Sequence, residues 1–166
     1  MAEAVRLNLG CGRLKLEGYV NIDDSEEVEP DVVSGAVEYL AALEPNSVDE
    51  IYAGHFLEHL EYEDGQAVLK ECFRVLRSGG TIGVVVPDTG TVMAVYIQGK
   101  ASLHEICRDF LYSTVQPSRH KWSYDGVTLR AALQNAGFVA TSLIDRYEDP
   151  RVIPAWFQIG WDAEKP

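Results

Sequence analysis

Leu7-Asn8-Leu9-Gly10-Cys11-Gly12 carries a β-prone run, Val5 to Leu9, into a tight glycine turn, and the next run, Tyr19-Val20-Asn21-Ile22-Asp23, ends on an acid. Glycine at the carboxyl end of a strand lets backbone approach a ligand closely, and ligands of open α/β sheets sit outside those strand ends. The stretch is not a dinucleotide fingerprint. Counted from Gly10, the third glycine would stand at position 15, which is Lys15, and Asp23 follows Gly12 by only 11 residues where about 20 are expected. Arg13 to Gly18 is also too short for a full helix, so a pyrophosphate seated on a helix N-terminus is poorly supported. The turn points instead to an adenosine derivative without a pyrophosphate.

Downstream, Asp31 to Ser34 is a third weak strand, followed by Gly35 and a helix over 36–43 in which Val37, Leu40 and Ala41 recur at helical spacing. After the turn Pro45-Asn46-Ser47, Val48 to Ala53 reads as a fourth strand ending at Gly54. Ala67, Val68, Phe73, Val75 and Leu76 predict an amphipathic helix over 64–76, with Asp64 as N-cap and Gly79-Gly80 as the stop. Thr81 to Val86 is nearly all apolar, as expected of a strand covered on both faces. Residues 88 to 121 lose this rhythm: they predict one helix near Leu103 to Leu111, then a loop from Ser113 to Lys121. Asp125 begins a helix through Ala136 that Gly137 ends, and the strands Phe138 to Ile144 and Trp156 to Trp161 close the chain. The expectation is one α/β domain over 1–166, with about seven mostly parallel strands, helices on both faces and a short or missing first helix.

The chain has 166 residues, 46% of them hydrophobic and 10% aromatic, enough for a core and inconsistent with disorder. Its 26 Asp and Glu against 14 Lys and Arg give a net charge of −12, which argues against nucleic acid or an anionic membrane as main partner. Cys11, Cys72 and Cys107 are odd in number and widely spaced, so neither a disulfide framework nor a zinc knuckle is indicated, and a cytoplasmic location is expected. No apolar run approaches the roughly 18 residues of a membrane span, and Met1-Ala-Glu-Ala4 lacks a basic signal region.

Taken in order, Leu7 to Gly12, Gly18 to Asp24, Ser47-Val-Asp-Glu-Ile-Tyr-Ala-Gly-His-Phe-Leu-Glu-His-Leu60, Leu69 to Gly80 and Val86-Pro-Asp88 resemble class I S-adenosylmethionine (SAM) dependent methyltransferases, specifically small type 11-like ones. His120 to Asp125 and Leu133 to Phe138 extend the similarity over most of the chain. The resemblance implies a Rossmann-like fold, SAM as cofactor and S-adenosylhomocysteine as product. It also implies cofactor contacts at Asn8, Gly10, Cys11, Gly12, Asp23, Asp24, Gly35, Ala36, Gly54 and His55. In that scheme Asp23 accepts the ribose hydroxyls, Gly35 and Ala36 flank adenine, and Gly54 and His55 face the methionine end. Members often carry an Asp beside adenine; here the residues are Ser34-Gly35-Ala36.

Methyl transfer from a sulfonium needs positioning more than a nucleophile, yet a hydroxyl acceptor must lose a proton, and histidine is suited to take it. His55 and His120 are the first candidates for that role, with Glu58 and His59 next. His55-Phe-Leu-Glu-His59 also has the H-x-x-E-H spacing of zinc peptidases, but within the methyltransferase-like order no metal is expected. Arg119, His120, Lys121, Trp122 and Tyr124 form a cationic and aromatic cluster in an acidic chain, so Arg119, Lys121 and Tyr124, with Asp88, are expected on the acceptor side, and 88–124 as a lid or insertion there. The expected function is methyl transfer to a small-molecule acceptor such as a sugar or cell-envelope precursor. The alternative is a non-catalytic SAM-binding subunit, and an oxidoreductase is disfavoured by Lys15. So small a pocket leaves room for a homodimer partner to complete it.

Overall fold

One seven-stranded sheet organises the chain, in the order β3-β2-β1-β4-β5-β7-β6. Its strands are β1 (Arg6–Leu9), β2 (Val20–Asp23), β3 (Val32–Val33), β4 (Val48–Gly54), β5 (Leu76–Pro87), β6 (Val139–Leu143) and β7 (Gln158–Glu164). The first five pair in parallel, whereas β7 is antiparallel to both β5 and β6. The helices are α1 (Ala36–Ala41), α2 (Tyr62–Val75), α3 (Thr89–Ile97), α4 (Leu103–Ile106) and α5 (Gly126–Ala136). This computed structural model describes residues 4–111, 119–145, 147–153, 155 and 157–166. Trp156 and most of the expected loop from Ser113 lie outside the described residues.

Alternation along the central strands divides the core in two. Ile51 and Ala53 of β4, with Ile82, Val84 and Val86 of β5, face Leu40 of α1, Val68, Leu69, Cys72 and Val75 of α2, and Leu129, Ala132 and Leu133 of α5. Tyr52 and Val85, one residue out of phase, face a smaller cluster with Leu16, Tyr19, Ile144 and Val152. Among the described residues that second cluster contains no helical side chain, and α1, α2 and α5 all contribute to the first. The loop 13–19, where the first helix would stand, is fixed by polar side chains. Asn8 and Asn21 are opposed in register, and both are buried. Asn8 Nδ2 donates to Leu14 O and to Asn21 Oδ1, while Asn21 Oδ1 also accepts Leu16 N–H at 2.8 Å. Asp31 in turn accepts the Asn21 backbone and side-chain N–H groups.

Boundaries differ from expectation at α2. Glu61, not Asp64, is the N-cap, and the helix ends at Val75 because Leu76 turns extended and pairs with Val48, so Gly79-Gly80 lies within β5. Helix α3 is missed by the sequence reading, since Thr89, Thr91, Val92 and Val95 are β-branched and Gly90 is a poor helix former. The helix beginning at Asp125 forms as expected: its carboxylate caps Val127 and Thr128 N–H, and Gly137 ends it with φ 110°.

Candidate active site

At the carboxyl end of β1 the chain turns through Gly10 (φ 60°) and Gly12 (φ 50°), both left-handed. A Cβ on Gly10 would collide with the Phe56 ring, whereas nothing lies within 4 Å of one on Gly12, so the turn opens onto free space there. Asp23, at the adjoining end of β2, accepts Gly12 N–H at Oδ2 (2.8 Å) and Ser25 N–H at Oδ1 (3.0 Å). Each carboxylate oxygen keeps acceptor capacity for a further donor. Burial first, then the Asp23 charge, pushes the Cys11 thiol up to about 11, so it stays protonated and acts as a small packing group.

The other residues expected at the cofactor are placed less uniformly. Asn8 is 2% exposed and its amide is committed to Leu14 and Asn21, which supports the glycine turn from beneath. Asp24 is exposed. Gly35 is the N-cap of α1, and the Glu38 carboxylate folds over it, supplying an acid where Ser34-Gly35-Ala36 has none. Gly54 ends β4 against the Tyr52 hydroxyl.

His55 follows Gly54 with φ 53°, a left-handed conformation unusual for a residue with a side chain. Its N–H donates to Val85 O at 2.8 Å, and both ring nitrogens are engaged: Nε2 lies 2.9 Å from Gln158 Oε1 and Nδ1 3.1 Å from Glu58 Oε1. Gln158 Nε2 donates to Ile153 O, which turns its oxygen toward the imidazole. Burial works against the charged ring, but the Glu58 carboxylate and Gln158 outweigh it and raise the His55 pKa. With both nitrogens occupied, His55 has no lone pair facing a ligand; it orients Glu58.

Glu58 sits in the 3-10 turn Leu57–His59 and is 1% exposed. Its backbone carbonyl accepts Lys121 N–H (2.7 Å) and Trp122 N–H (3.2 Å), which ties the 119–124 segment onto this turn. His120 thereby lies beside His59, ring centroids 5.0 Å apart. His120 Nδ1 donates to Phe110 O at 2.5 Å, leaving Nε2 as the lone-pair nitrogen of the neutral ring. Burial is the main cause of a lowered His120 pKa, opposed by the Glu58 charge. Sequence spacing pairs His55 with His59; the fold gathers Glu58, His59 and His120 instead. Gln158, missed by sequence reasoning, is distant in the chain and carries no motif.

Of the residues expected on the acceptor side, Arg119 and Lys121 are exposed. Asp88 precedes α3 and accepts the Thr91 hydroxyl at 2.5 Å. Tyr124 is 2% exposed and packed in the helix-face core, where it lines a small cavity with Glu58 and His120, and a Cβ on Gly65 of α2 would lie 3.2 Å from its hydroxyl. Its ring belongs to the core because the strand-like Asp88–Tyr124 bridge turns it inward.

Residues 7–84 match the family model described as a methyltransferase domain. No curated protein matches the chain. Among solved structures, a SAM-dependent methyltransferase from Archaeoglobus fulgidus is similar at 20% identity and TM-score 0.67, covering 98% of this chain and 86% of that one. A SAM-dependent methyltransferase structure from Methanosarcina mazei matches at 18% identity and TM-score 0.66, covering 99% and 94%. The Burkholderia thailandensis 1,6-didemethyltoxoflavin-N1-methyltransferase, solved with 1,6-didemethyltoxoflavin and S-adenosylhomocysteine, matches at 15% identity and TM-score 0.64, covering 98% and 71%. At these identities the structural likeness establishes the fold. The domain model over residues 7–84 and the 3-2-1-4-5-7-6 sheet along the chain are similar to those of class I SAM-dependent methyltransferases.

Proposed function

We propose that the chain is an active methyltransferase that moves the SAM methyl group to a small-molecule acceptor. The observation that carries this reading is the Gly10-Cys11-Gly12 turn held directly against Asp23, with open space in front of Gly12. In this assignment the turn backbone holds the methionine end of SAM and Asp23 takes the ribose hydroxyls. Gly35 and Ala36 flank adenine, with Glu38 as the nearby carboxylate. SAM supplies an electrophilic methyl group; the chain's part is to hold donor and acceptor in line and to exclude water. The acceptor approaches over the ends of β4 and β5, where Glu58, His59 and His120 gather, and residues 88–111 and 119–124 border that side of the site. Exposed Arg119 and Lys121 favour an acceptor bearing a carboxylate or phosphate, a sugar phosphate or cell-envelope precursor being the class to try first. The small-molecule acceptor named for the Burkholderia relative is in keeping with this class of reaction.

Calorimetry with SAM and S-adenosylhomocysteine tests the cofactor site. Asp23→Ala is expected to weaken SAM by about 1–3 kcal/mol through lost charge-assisted hydrogen bonds; unchanged affinity would remove Asp23 from the ribose role. Labelled SAM with an acceptor panel then tests turnover, and tight SAM binding without transfer to any acceptor would favour a binding subunit.

A further inference from the structure

Among the described residues, Glu58, His59 and His120 each offer one ligand atom, and these atoms lie within 4.8 Å of one another. Spacing alone does not assemble these three as a ligand set, because His120 is 61 residues beyond His59 and the H-x-x-E-H pattern pairs His59 with His55. A second, independent feature points to a ligand here. Glu58 is 1% exposed, its Oε1 is held by His55, and its Oε2 is buried without a hydrogen-bond partner. A carboxylate oxygen stripped of water and left unpaired is costly, and a cation is the partner that best offsets the cost.

We propose that Glu58, His59 and His120 bind one divalent transition-metal cation through Glu58 Oε2 and one ring nitrogen of each histidine, Nε2 in His120. Two imidazoles and a carboxylate are a borderline donor set, suited to zinc, manganese, cobalt or ferrous iron ahead of magnesium or calcium. Tetrahedral bonds of about 2.0–2.2 Å need donors about 3.4 Å apart, so ångström-scale side-chain adjustment closes the site. The surroundings are those of a supported ligand set. The Phe110 carbonyl fixes the His120 tautomer, His55 fixes the Glu58 carboxylate, and Gln158 fixes His55. The two backbone bonds to Glu58 O hold the His120 segment against the turn that carries the other two ligands. Three protein donors leave at least one position open to water or to an oxygen or nitrogen of the acceptor. That last step rests on the methyltransferase reading; metal binding itself does not.

Chelator-stripped protein titrated with zinc, manganese and magnesium by calorimetry tests the site. One equivalent of zinc or manganese per chain is expected, at least about tenfold tighter than magnesium, and His120→Ala and His59→Ala should each weaken it about tenfold or more. Cobalt gives a second readout: its visible absorption bands should change in both variants. Circular dichroism and SAM affinity, expected within about threefold of the parent, show that the variants are folded. No saturable zinc or manganese binding, or binding that both variants leave unchanged, overturns the proposal. If the unmodified protein binds metal but not SAM, the methyltransferase reading fails and the metal site stands; SAM binding without metal gives the reverse.

Discussion

The two faces of the sheet are built by different physics. On one face α1, α2 and α5 lay apolar side chains over Leu7, Leu9, Ile51, Ile82 and Val84, and the core there is apolar and shape-dependent, with Arg74 tying α2 to the Leu40 and Leu43 carbonyls at its margin. On the other, residues 13–19 and 147–153 cover the sheet with a small apolar cluster and a polar lattice. Arg151 there reaches Glu50 (3.1 Å), Asp149 (2.6 Å) and Asp162 (3.0 Å) and lies over the Tyr52 ring, while the Tyr19 hydroxyl donates to Glu50. The first face is held by area removed from water, which accumulates over many residues. The second is held by a few directional contacts, each of which leaves charged or polar groups unpaired if its partner is lost. The glycine turn opens directly into loop 13–19, so the loop-covered face is mechanically closer to the cofactor assignment than the helix-covered one.

This contrast breaks most visibly under truncation. Leu69→Ala, at a fully buried position of α2, should cost about 2–5 kcal/mol in denaturant unfolding through lost burial and a cavity, with SAM affinity retained in the folded fraction. Asn21→Ala should cost less, about 1–3 kcal/mol, by orphaning Leu16 N–H and removing one partner each from Asn8 and Asp31. Unlike the first variant, it should also weaken SAM binding, because the loop leaving Gly12 loses its anchor. Equal SAM affinities in the two variants would refute the proposed link between this lattice and the turn.

The same contrast explains what the sequence discloses. Helix-face elements are readable because their signal is local: apolar spacing marks α2, and Asp125 with Gly137 brackets α5. The glycine turn and Asp23 are readable because each sits at the carboxyl end of a short strand and only 11 residues separate Gly12 from Asp23. The loop face is opaque because Asn21 with Asp31, and Glu50 with Arg151, meet only after folding, and an isolated Asn or Arg reads as a surface residue. The burial of Tyr124 is hidden for a related reason: its cationic neighbours suggest an exposed cluster, but the chain segment bridged to Asp88 carries the ring inward beside Glu58 and His120. His55 and His120 carry similar sequence signals, and only the packing separates a doubly engaged ring from one with a free lone pair.

Acid should loosen the loop-covered face through the carboxylates that tie its loops to the sheet, while on the helix-covered face the comparable contact is the Asp125 cap of α5. Asp149 is held below the ordinary carboxylate range chiefly by hydrogen bonds from Arg151, and Asp31 by those from the Asn21 backbone and side chain. A carboxylate whose folded pKa is depressed contributes stability that is present above its unfolded value, about 3.9 for Asp, and lost as pH falls through the folded value. Unfolding free energy should therefore decline from about pH 4 downward. Replacing Arg151 with methionine removes the cause of the Asp149 shift, so the variant, though less stable at neutral pH, should lose less on acidification than the parent. Parallel pH profiles in parent and Arg151→Met would show that the lattice contributes no proton-linked stability, leaving apolar packing by Leu16, Tyr19, Ile144 and Val152 to hold that face.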